Sequence, residues 1–164
     1  MTTPLQNLFP GDLHFRFMRQ ALLEAEKASD AGEVPVGAVI VHKNRIIARG
    51  HNQVELLSDP TAHAEMIALS AAFSHLGEKY LTECTIYVTL EPCPMCAGAL
   101  VWAKTGRLVF GAQDEKAGAC GSIFNIAHHP VLNHRMEVLQ GVMEDESEML
   151  LRRFFEKLRK KDNS

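Results

Sequence analysis

The sequence predicts an α/β protein in which one mixed, mostly five-stranded sheet carries helices on both faces, forming three α/β/α layers. Short runs rich in β-branched residues recur along the chain, and helical patterns alternate with them after an initial pair of strands. The chain has 164 residues, 46% of them hydrophobic, which suffices for a core without disulfide bonds. We therefore expect a single domain over residues 1–164, with its core at about 12–155 and a basic helix end at 156–164.

The N-terminal part is predicted to form a helix followed by a β-hairpin. Asp12 is a candidate N-cap, and apolar residues then recur at helical spacing until Gly32, where the helix is expected to end. Two β-rich runs follow, VGAVIVH (Val36–His42) and RIIARGH (Arg45–His51), with only a dipeptide between them. That spacing predicts two antiparallel strands joined by a tight turn.

The central part is predicted to contain a loop, a helix, a strand and a second helix. The polar stretch Asn52–Thr61 is expected to be a loop, and from Ala62 onward small and apolar residues have helical spacing. TIYVTL (Thr85–Leu90) has the β-branched and aromatic content of a buried strand. CPMCAGALVWAK then predicts a helix with Pro94 in its first turn, where proline is tolerated.

The C-terminal part is predicted to add two strands and a long helix. RLVFGA (Arg107–Ala112) and RMEVLQG (Arg135–Gly141) predict the strands, and the helix is expected from about Glu144 to Lys161. Four apolar side chains are expected to dock this helix on the rest of the fold: Leu150, Leu151, Phe154 and Leu158.

The end of this helix is the densest basic part of a chain whose net charge is −3. Bases at a helix C-terminus complement the helix dipole, and Glu148–Arg152 and Glu156–Lys160 have the i,i+4 spacing of ion pairs. The same bases can bind RNA phosphates, and we expect them to serve both purposes. The net charge excludes a generally basic nucleic-acid binder, so any RNA contact must be local. The basic residues are Arg152, Arg153, Lys157, Arg159, Lys160 and Lys161.

Composition also bears on the cellular compartment. The first residues lack the cationic start and apolar segment of a signal peptide, and no run approaches about 18 apolar residues. A cytoplasmic location without a membrane partner is therefore expected. In such a chain the four cysteines are better candidates for metal or catalytic use than for disulfides.

Two short motifs predict a metal site. His63 and Glu65 begin one predicted helix, and Cys93 and Cys96 begin the next. Cysteines at i and i+3 share a helix face, and a helix N-terminus favours the thiolate form that zinc binds. One histidine and two thiolates leave one position of tetrahedral Zn²⁺ for water, which is the pattern of a catalytic site.

Glu65 is predicted to be the general acid–base beside the metal. It lies two residues from His63, near enough to move protons without binding the ion. H-x-E followed by P-C-x-x-C is the signature of zinc nucleobase deaminases. A redox C-x-x-C would not require His63 or Glu65, and a structural zinc site would require a fourth ligand. Cys84 and Cys120 lack such spacing and are expected to be buried core residues.

Five stretches of the chain resemble the bacterial tRNA-specific adenosine deaminases: EVPVGAVIV, DPTAHAEM, YVTLEPCPMCAGAL, VFGAQDEKAGACGS and HHPVLNHRMEV. The resemblance extends from about Asp12 to Phe155. It implies a cytidine-deaminase-like fold, a zinc-dependent deaminase domain and a homodimer. The implied reaction is hydrolytic conversion of adenosine to inosine at the wobble position of a tRNA anticodon. The implied partner is the anticodon stem-loop, and no DNA partner is expected.

The resemblance also implies roles for individual residues. His63, Cys93 and Cys96 match zinc ligands, Glu65 matches the proton shuttle, and Asn52 matches an asparagine that contacts the flipped nucleoside. Further matches are implied to lie near the RNA, although Asp114, Lys116 and Asn133 are equally consistent with turn residues. The Pro92 carbonyl is implied to orient the leaving amino group. The further matches are Asp114, Lys116, His129, Asn133 and Phe155.

Other interpretations of the sequence remain open. A Pro-Met pair between the cysteines also occurs in guanine deaminases, so a free-base or nucleoside deaminase (guanine or cytidine type) is the alternative. The basic helix end and the QDEKAG and HHPVLNH stretches favour RNA. A non-enzymatic zinc-stabilised RNA-binding module is disfavoured by the open ligand position and by Glu65. Trp102 follows apolar helix positions and is predicted to be core rather than a base-stacking platform.

Overall fold

A computed structural model describes residues 10–164 as five helices and five strands. No helix in this range is long and apolar enough to cross a membrane. The elements are α1 (Pro10–Asp30), β1 (Gly37–His42), β2 (Arg45–His51), α2 (Val54–Leu57), α3 (Ala64–Leu76), β3 (Cys84–Leu90), α4 (Pro94–Trp102), β4 (Arg107–Ala112), β5 (Glu137–Gln140) and α5 (Glu144–Asp162).

The strands form one mixed sheet in the order β2-β1-β3-β4-β5. β1 pairs antiparallel with both β2 and β3, whereas β3, β4 and β5 are parallel. The predicted five-stranded mixed sheet is therefore confirmed. Because β3 and β4 are parallel, the segments that follow Leu90 and Ala112 leave the sheet at the same edge.

Helices cover both faces of the sheet, as predicted. On one face, Ala68, Leu69 and Leu100 of α3 and α4 pack in the larger core cluster with β1, β3 and β4. On the other face, Phe17 and Met18 of α1 pack against alternate residues of the same strands. α5 also contacts β3, β4 and α1. Side chains of successive strand residues point to opposite faces, so each strand contributes to both cores.

The β1–β2 hairpin has the predicted two-residue turn. Lys43 and Asn44 have positive φ angles of 51° and 61°. Positive φ at both central positions matches the twist of the flanking strands, and Asn tolerates it better than most residues. The turn lies at the edge of the sheet opposite the ends of β3 and β4, since His42 pairs with Cys84 at the start of β3.

Gly50 allows α3 to begin close to the sheet. A Cβ atom at this position would lie 2.4 Å from the Ala64 carbonyl oxygen and 2.9 Å from the Ala68 amide nitrogen. Any side chain there would push the first turn of α3 away from β2. The absence of a side chain therefore fixes where the His63–Glu65 segment enters the fold.

Two boundary predictions were wrong. Asp12 lies inside α1, which begins at Pro10, so Asp12 is not an N-cap residue. The predicted loop Asn52–Thr61 contains the one-turn helix α2. The buried Glu33 carboxylate accepts hydrogen bonds from the amides of Glu55 and Leu56, both 2.9 Å long, and thereby caps this turn.

Trp102 is also predicted wrongly. Its residue surface is 83% exposed at the end of α4, whereas the prediction placed it in the core. The burial of Cys84 and Cys120 is confirmed.

α5 docks less completely than predicted. Leu150, Leu151 and Phe154 are half-buried, but Leu158 is 45% exposed and the only buried residue of the helix is Ser147. Among the described residues, neither Glu148–Arg152 nor Glu156–Lys160 forms a salt bridge, so the expected ion pairs are absent. The basic side chains of this helix are exposed and remain accessible to a ligand.

Candidate active site

Three potential metal ligands meet at the edge of the sheet where β3 and β4 end. The Nδ1 atom of His63 lies 3.6 Å from Cys93 Sγ and 3.5 Å from Cys96 Sγ. The three ligand atoms all lie within 4.8 Å of one another. The structure thus brings together the three residues that the sequence predicts as ligands.

These distances suit a tetrahedral zinc ion. With Zn–N of about 2.0–2.1 Å, Zn–S of about 2.3 Å and a tetrahedral angle, the nitrogen and sulfur atoms would be roughly 3.6 Å apart. The observed separations of 3.5 and 3.6 Å match that value. The donor set of one imidazole and two sulfurs is also one that zinc prefers.

Helix starts place the three side chains. His63 is the N-cap residue of α3 and Cys93 that of α4, both with extended backbone angles. Pro94 occupies the first turn of α4, as predicted. The i,i+3 spacing of the cysteines puts Cys96 on the helix face that Cys93 borders. Two helix N-termini therefore point at the cluster, and their dipoles favour negatively charged sulfur.

The two sulfurs and the imidazole shift one another's pKa values through hydrogen bonds. The hydrogen bond from Cys96 is the largest cause that lowers the pKa of Cys93, to about 4. That same bond and burial raise the pKa of Cys96, and the bond to Cys93 raises the pKa of His63. A metal would bind these groups in their deprotonated forms, and the lowered pKa of Cys93 favours its thiolate.

Glu65 lies in the first turn of α3 beside this cluster. The residue is only 4% exposed, and burial raises the pKa of its carboxyl to about 6. A carboxyl group with a pKa near neutrality can both accept and release a proton during turnover.

A cavity of about 620 Å³ opens over the cluster. Its volume is in the range of small-molecule sites. Its walls are mainly apolar, with acidic groups at several points. The lining residues include Val36, Asn52, Val54, Glu55, His63, Glu65, Leu90, Glu91, Cys93, Asp114, Ala117, Phe154, Phe155 and Leu158.

Asn52 lines this cavity but already has two backbone partners. Its Oδ1 accepts a hydrogen bond of 2.9 Å from the Ala64 amide, and its Nδ2 donates one of 3.2 Å to the Val34 carbonyl. Asn52 thus caps α3 in place of His63, whose side chain makes no capping bond. One N–H and one lone pair of the amide stay available to a ligand.

Asp114 and Lys116 lie in the segment after β4. Asp114 Oδ1 accepts hydrogen bonds from the amides of Lys116 and Ala117, at 3.0 and 3.1 Å, which is a turn-forming arrangement. Asp114 nevertheless lines the cavity, and an adjoining concavity of about 730 Å³ is lined by Lys116, Arg152 and Phe155.

His129 and Asn133 are not brought to the cavity. Both are exposed in the segment between β4 and β5, and neither is among the residues that line the cavity. His129 Nδ1 accepts a local hydrogen bond from the Val131 amide at 3.2 Å.

α5 supplies one wall of the cavity, and the sequence motifs predict only part of it. Phe155 lines the cavity as expected, and Phe154 and Leu158, predicted to dock the helix, line it too. Their spacing of three and four residues puts Leu158 on the same helix face as both aromatic side chains.

The Pro92 carbonyl, which the resemblance assigns to the leaving group, accepts a 2.9 Å hydrogen bond from the Ala119 amide. Its second lone pair stays available.

Glu33, Glu55 and Glu91 also line the cavity, and no sequence motif singled them out. For Glu91 a signal was present in the sequence, because an acidic residue directly after a buried strand often lies at a functional edge of the sheet.

Comparison with known proteins agrees with this geometry. A family model described as MafB19-like deaminase matches residues 13–159. A tRNA-specific adenosine deaminase of Aquifex aeolicus (strain VF5) is 51% identical over 143 residues, which are 87% of this chain and 94% of that relative. The chain belongs to the tRNA-specific adenosine deaminase family. The resemblance drawn from the sequence motifs is therefore confirmed.

Two solved structures show how the deaminase compares in three dimensions. One, from a study of A-to-I editing by tRNA:A34 deaminases at the wobble position of transfer RNA, has a TM-score of 0.80 and 44% identity, covering 83% of this chain and 99% of its own. The guanine deaminase of Bacillus subtilis has a TM-score of 0.59 and 40% identity, covering 65% and 69%. The first comparison confirms the predicted cytidine-deaminase-like fold.

Proposed function

We propose that this enzyme hydrolyses adenosine to inosine at the wobble position of a tRNA anticodon, as a single zinc-dependent domain over residues 1–164. The observation that carries the proposal is the set of His63, Cys93 and Cys96, at zinc-compatible distances, with buried Glu65 beside it. The set lies in a cavity of about 620 Å³, in the size range that accepts an extruded nucleoside.

His63, Cys93 and Cys96 would hold the ion, and a bound Zn²⁺ would supply Lewis-acid activation of water. The Glu65 carboxylate accepts a proton from the attacking water and gives one to the adenine ring nitrogen. It then moves a second proton to the amino group, which leaves as ammonia. Water is thereby consumed, the C–N bond is broken, and a carbonyl replaces the amino group.

Other cavity residues hold the base. Asn52 has one free N–H and one free lone pair for the nucleoside, while its remaining bonds keep the amide fixed. Apolar side chains such as Val36 and Leu90 exclude water from the buried part of the cavity. An anticodon loop offers bases that are already unpaired, which lowers the cost of inserting one.

The alternative substrate, a free base such as guanine, is less favoured. The guanine deaminase comparison covers a smaller share of this chain than the tRNA:A34 deaminase comparison, with a lower TM-score. The exposed basic residues in the last turn of α5, Arg159, Lys160 and Lys161, also suit a polyanion rather than a free base.

The direct test is inosine formation on an anticodon stem-loop. We expect the purified, zinc-loaded protein to convert the wobble adenosine far faster than free adenosine or free guanine, as followed by ammonia release and by inosine detection in the product RNA. A matched stem-loop with guanosine at the wobble position controls for unrelated deamination. Faster turnover of free guanine would overturn the proposal.

RNA binding is proposed to use the basic side of α5. A truncation after Phe155 would test this poorly, because it would also remove Leu158 from the cavity wall. Arg152 and Arg159 are two turns apart on one face of α5 and can be replaced without shortening the helix.

We expect the double variant Arg152→Gln/Arg159→Gln to bind the stem-loop more weakly. The decrease of log K with log salt concentration should also become less steep. Each lost phosphate contact should reduce the magnitude of this slope by about 0.7–0.9. The matched control is Lys43→Gln/Arg45→Gln, which removes equal charge at the hairpin turn on the opposite edge. Fluorescence anisotropy titrations at several salt concentrations measure both, and equal slopes in the two variants would contradict the phosphate role.

A homodimer is proposed as the working form. α4 and the 119–136 segment pack in the same core cluster on one face of the sheet. They expose Trp102, Ile123, Phe124 and Val131, each at least half exposed. A second copy of the chain covering these side chains would remove apolar surface from water. Sedimentation of a monomer throughout the assay concentration range would contradict this assembly.

A further inference from the structure

Glu91 is a buried carboxylate next to the proposed metal ligands. It is 2% exposed and lies directly after β3, two residues before Cys93. Among the described residues, no lysine, arginine or histidine forms a salt bridge with it. A buried charge of this kind requires several hydrogen bonds to offset its desolvation.

Within residues 10–164, the side-chain hydrogen bonds of Glu91 all come from one segment, Gln113–Ser122, which we call the rim loop. The amides of Asp114, Cys120 and Ser122 donate to its carboxylate at 3.1, 3.0 and 3.1 Å, and the Ser122 hydroxyl donates as well. One main-chain bond reinforces the attachment, since the Ala119 amide donates to the Pro92 carbonyl at 2.9 Å. The Glu91 amide also donates to the carbonyl of Ala112, the residue before the rim loop, at 2.8 Å.

The rim loop is folded closely around this carboxylate. At Gly118, a Cβ atom would lie 2.4 Å from Glu91 Oε2 and 2.5 Å from the Asp114 carbonyl oxygen. Only glycine at position 118 leaves room for the carboxylate inside the loop. The loop can therefore close around Glu91 because it carries this glycine.

The rim loop carries residues on the substrate side of the cavity. Asp114 and Ala117 line the cavity over the metal cluster, and Lys116 lines the adjoining concavity with Arg152. Glu91 therefore connects the turn that bears Cys93 with the loop that bears these residues.

We propose that Glu91 is a positioning residue: its carboxylate fixes the rim loop relative to Cys93 and thereby places Asp114 and Lys116 against the RNA substrate. The inference rests on the proposed function for the identity of that substrate. The attachment itself rests on the hydrogen bonds and burial alone.

The chemistry requires a carboxylate of this length. Four donors converge on two oxygens, which an ionised carboxylate can accept. Glutamine would direct an NH₂ group at one pair of these donors and leave N–H groups of the rim loop unpaired. Aspartate keeps the acceptor oxygens but is one methylene shorter, so it should retain part of the attachment.

The first test compares Glu91→Gln, Glu91→Asp and Ser122→Ala with the wild-type protein. We expect Glu91→Gln to raise KM for the stem-loop about tenfold, which corresponds to losing about 1.4 kcal/mol, with a smaller change in kcat. Glu91→Asp should recover part of this loss, and Ser122→Ala should cause a smaller loss of the same kind. Zinc content should stay at the wild-type level in all three.

Hydrogen exchange gives a readout that does not depend on activity. In the zinc-loaded protein, the amides of Asp114, Cys120 and Ser122 should exchange faster in Glu91→Gln, while amides within β3 stay protected. Glu24→Gln is the matched control, since Glu24 is a 4% exposed carboxylate whose partners lie on α1 and β2. That variant should leave rim-loop exchange and KM unchanged.

A double-mutant cycle with Lys116→Ala separates positioning from general stability. If Glu91 acts through the rim loop, Lys116→Ala should raise KM in the wild-type background and have little further effect in Glu91→Gln. Additive effects on KM, or wild-type rim-loop exchange in Glu91→Gln, would overturn the inference. Failure of the wild-type protein to edit the stem-loop would instead overturn the proposed function, and the exchange experiment would still test the attachment.

Discussion

Replacing Glu65 with glutamine is expected to lower kcat on the stem-loop by about a hundredfold or more while zinc content stays at the wild-type level. Losing one positioned acid–base group typically costs about 10²–10⁴-fold, and here one carboxylate serves several proton transfers. Glutamine nearly preserves the volume of a residue that is only 4% exposed, so the fold should be retained. Single-turnover rates and metal analysis of the same preparation measure the two quantities.

Glu55→Gln is the control for charge in the same cavity. Glu55 lines the cavity, but its residue surface is exposed and it lies in α2. We expect its replacement to change kcat only a few-fold. Near wild-type turnover in Glu65→Gln would show that another group moves the protons.

The sheet and the proposed ligand set were predictable because their signals are local. Each strand shows as a short β-branched run, and each half of the ligand set is adjacent to a helix start. Because β2 and β3 are both antiparallel to β1, they run in the same direction, and the segments that follow them begin near the same edge. This brings His63 at the start of α3 to the two cysteines at the start of α4.

The loop attachments could not be predicted, because they join distant positions through backbone groups. Glu91 meets amides 23 to 31 residues away, and Glu33 caps a turn 22 and 23 residues along the chain. A backbone amide is the same donor in every residue except proline, so no side-chain pattern identifies such a partner.

Trp102 was misplaced because α4 is apolar on all sides. Its sequence, PMCAGALVW, offers no polar stripe that would distinguish a buried face from an exposed one. The missing ion pairs of α5 have another cause: exposed pairs gain at most about 1 kcal/mol and lose side-chain entropy, so correct spacing does not ensure that they form.

Replacing Cys96 with serine is expected to abolish zinc binding and, with it, turnover. Changes to groups that merely support metal ligands typically reduce affinity or activity by about 10–100-fold, and removing a ligand should exceed this. Cys96 is fully buried at 3.5 Å from His63 Nδ1, so its sulfur has no nearby substitute in the described structure. Metal analysis after dialysis against a weak chelator measures the loss.

Cys84→Ser is the matched control, because Cys84 is also buried, at 2% exposure, but lies at the start of β3, away from the cluster. We expect that variant to keep its zinc. Since a metal that binds the folded state stabilises it, added zinc should raise the Tm of Cys84→Ser and wild-type protein but not of Cys96→Ser. A metal-loaded, active Cys96→Ser protein would show that the reaction does not depend on the three-ligand site.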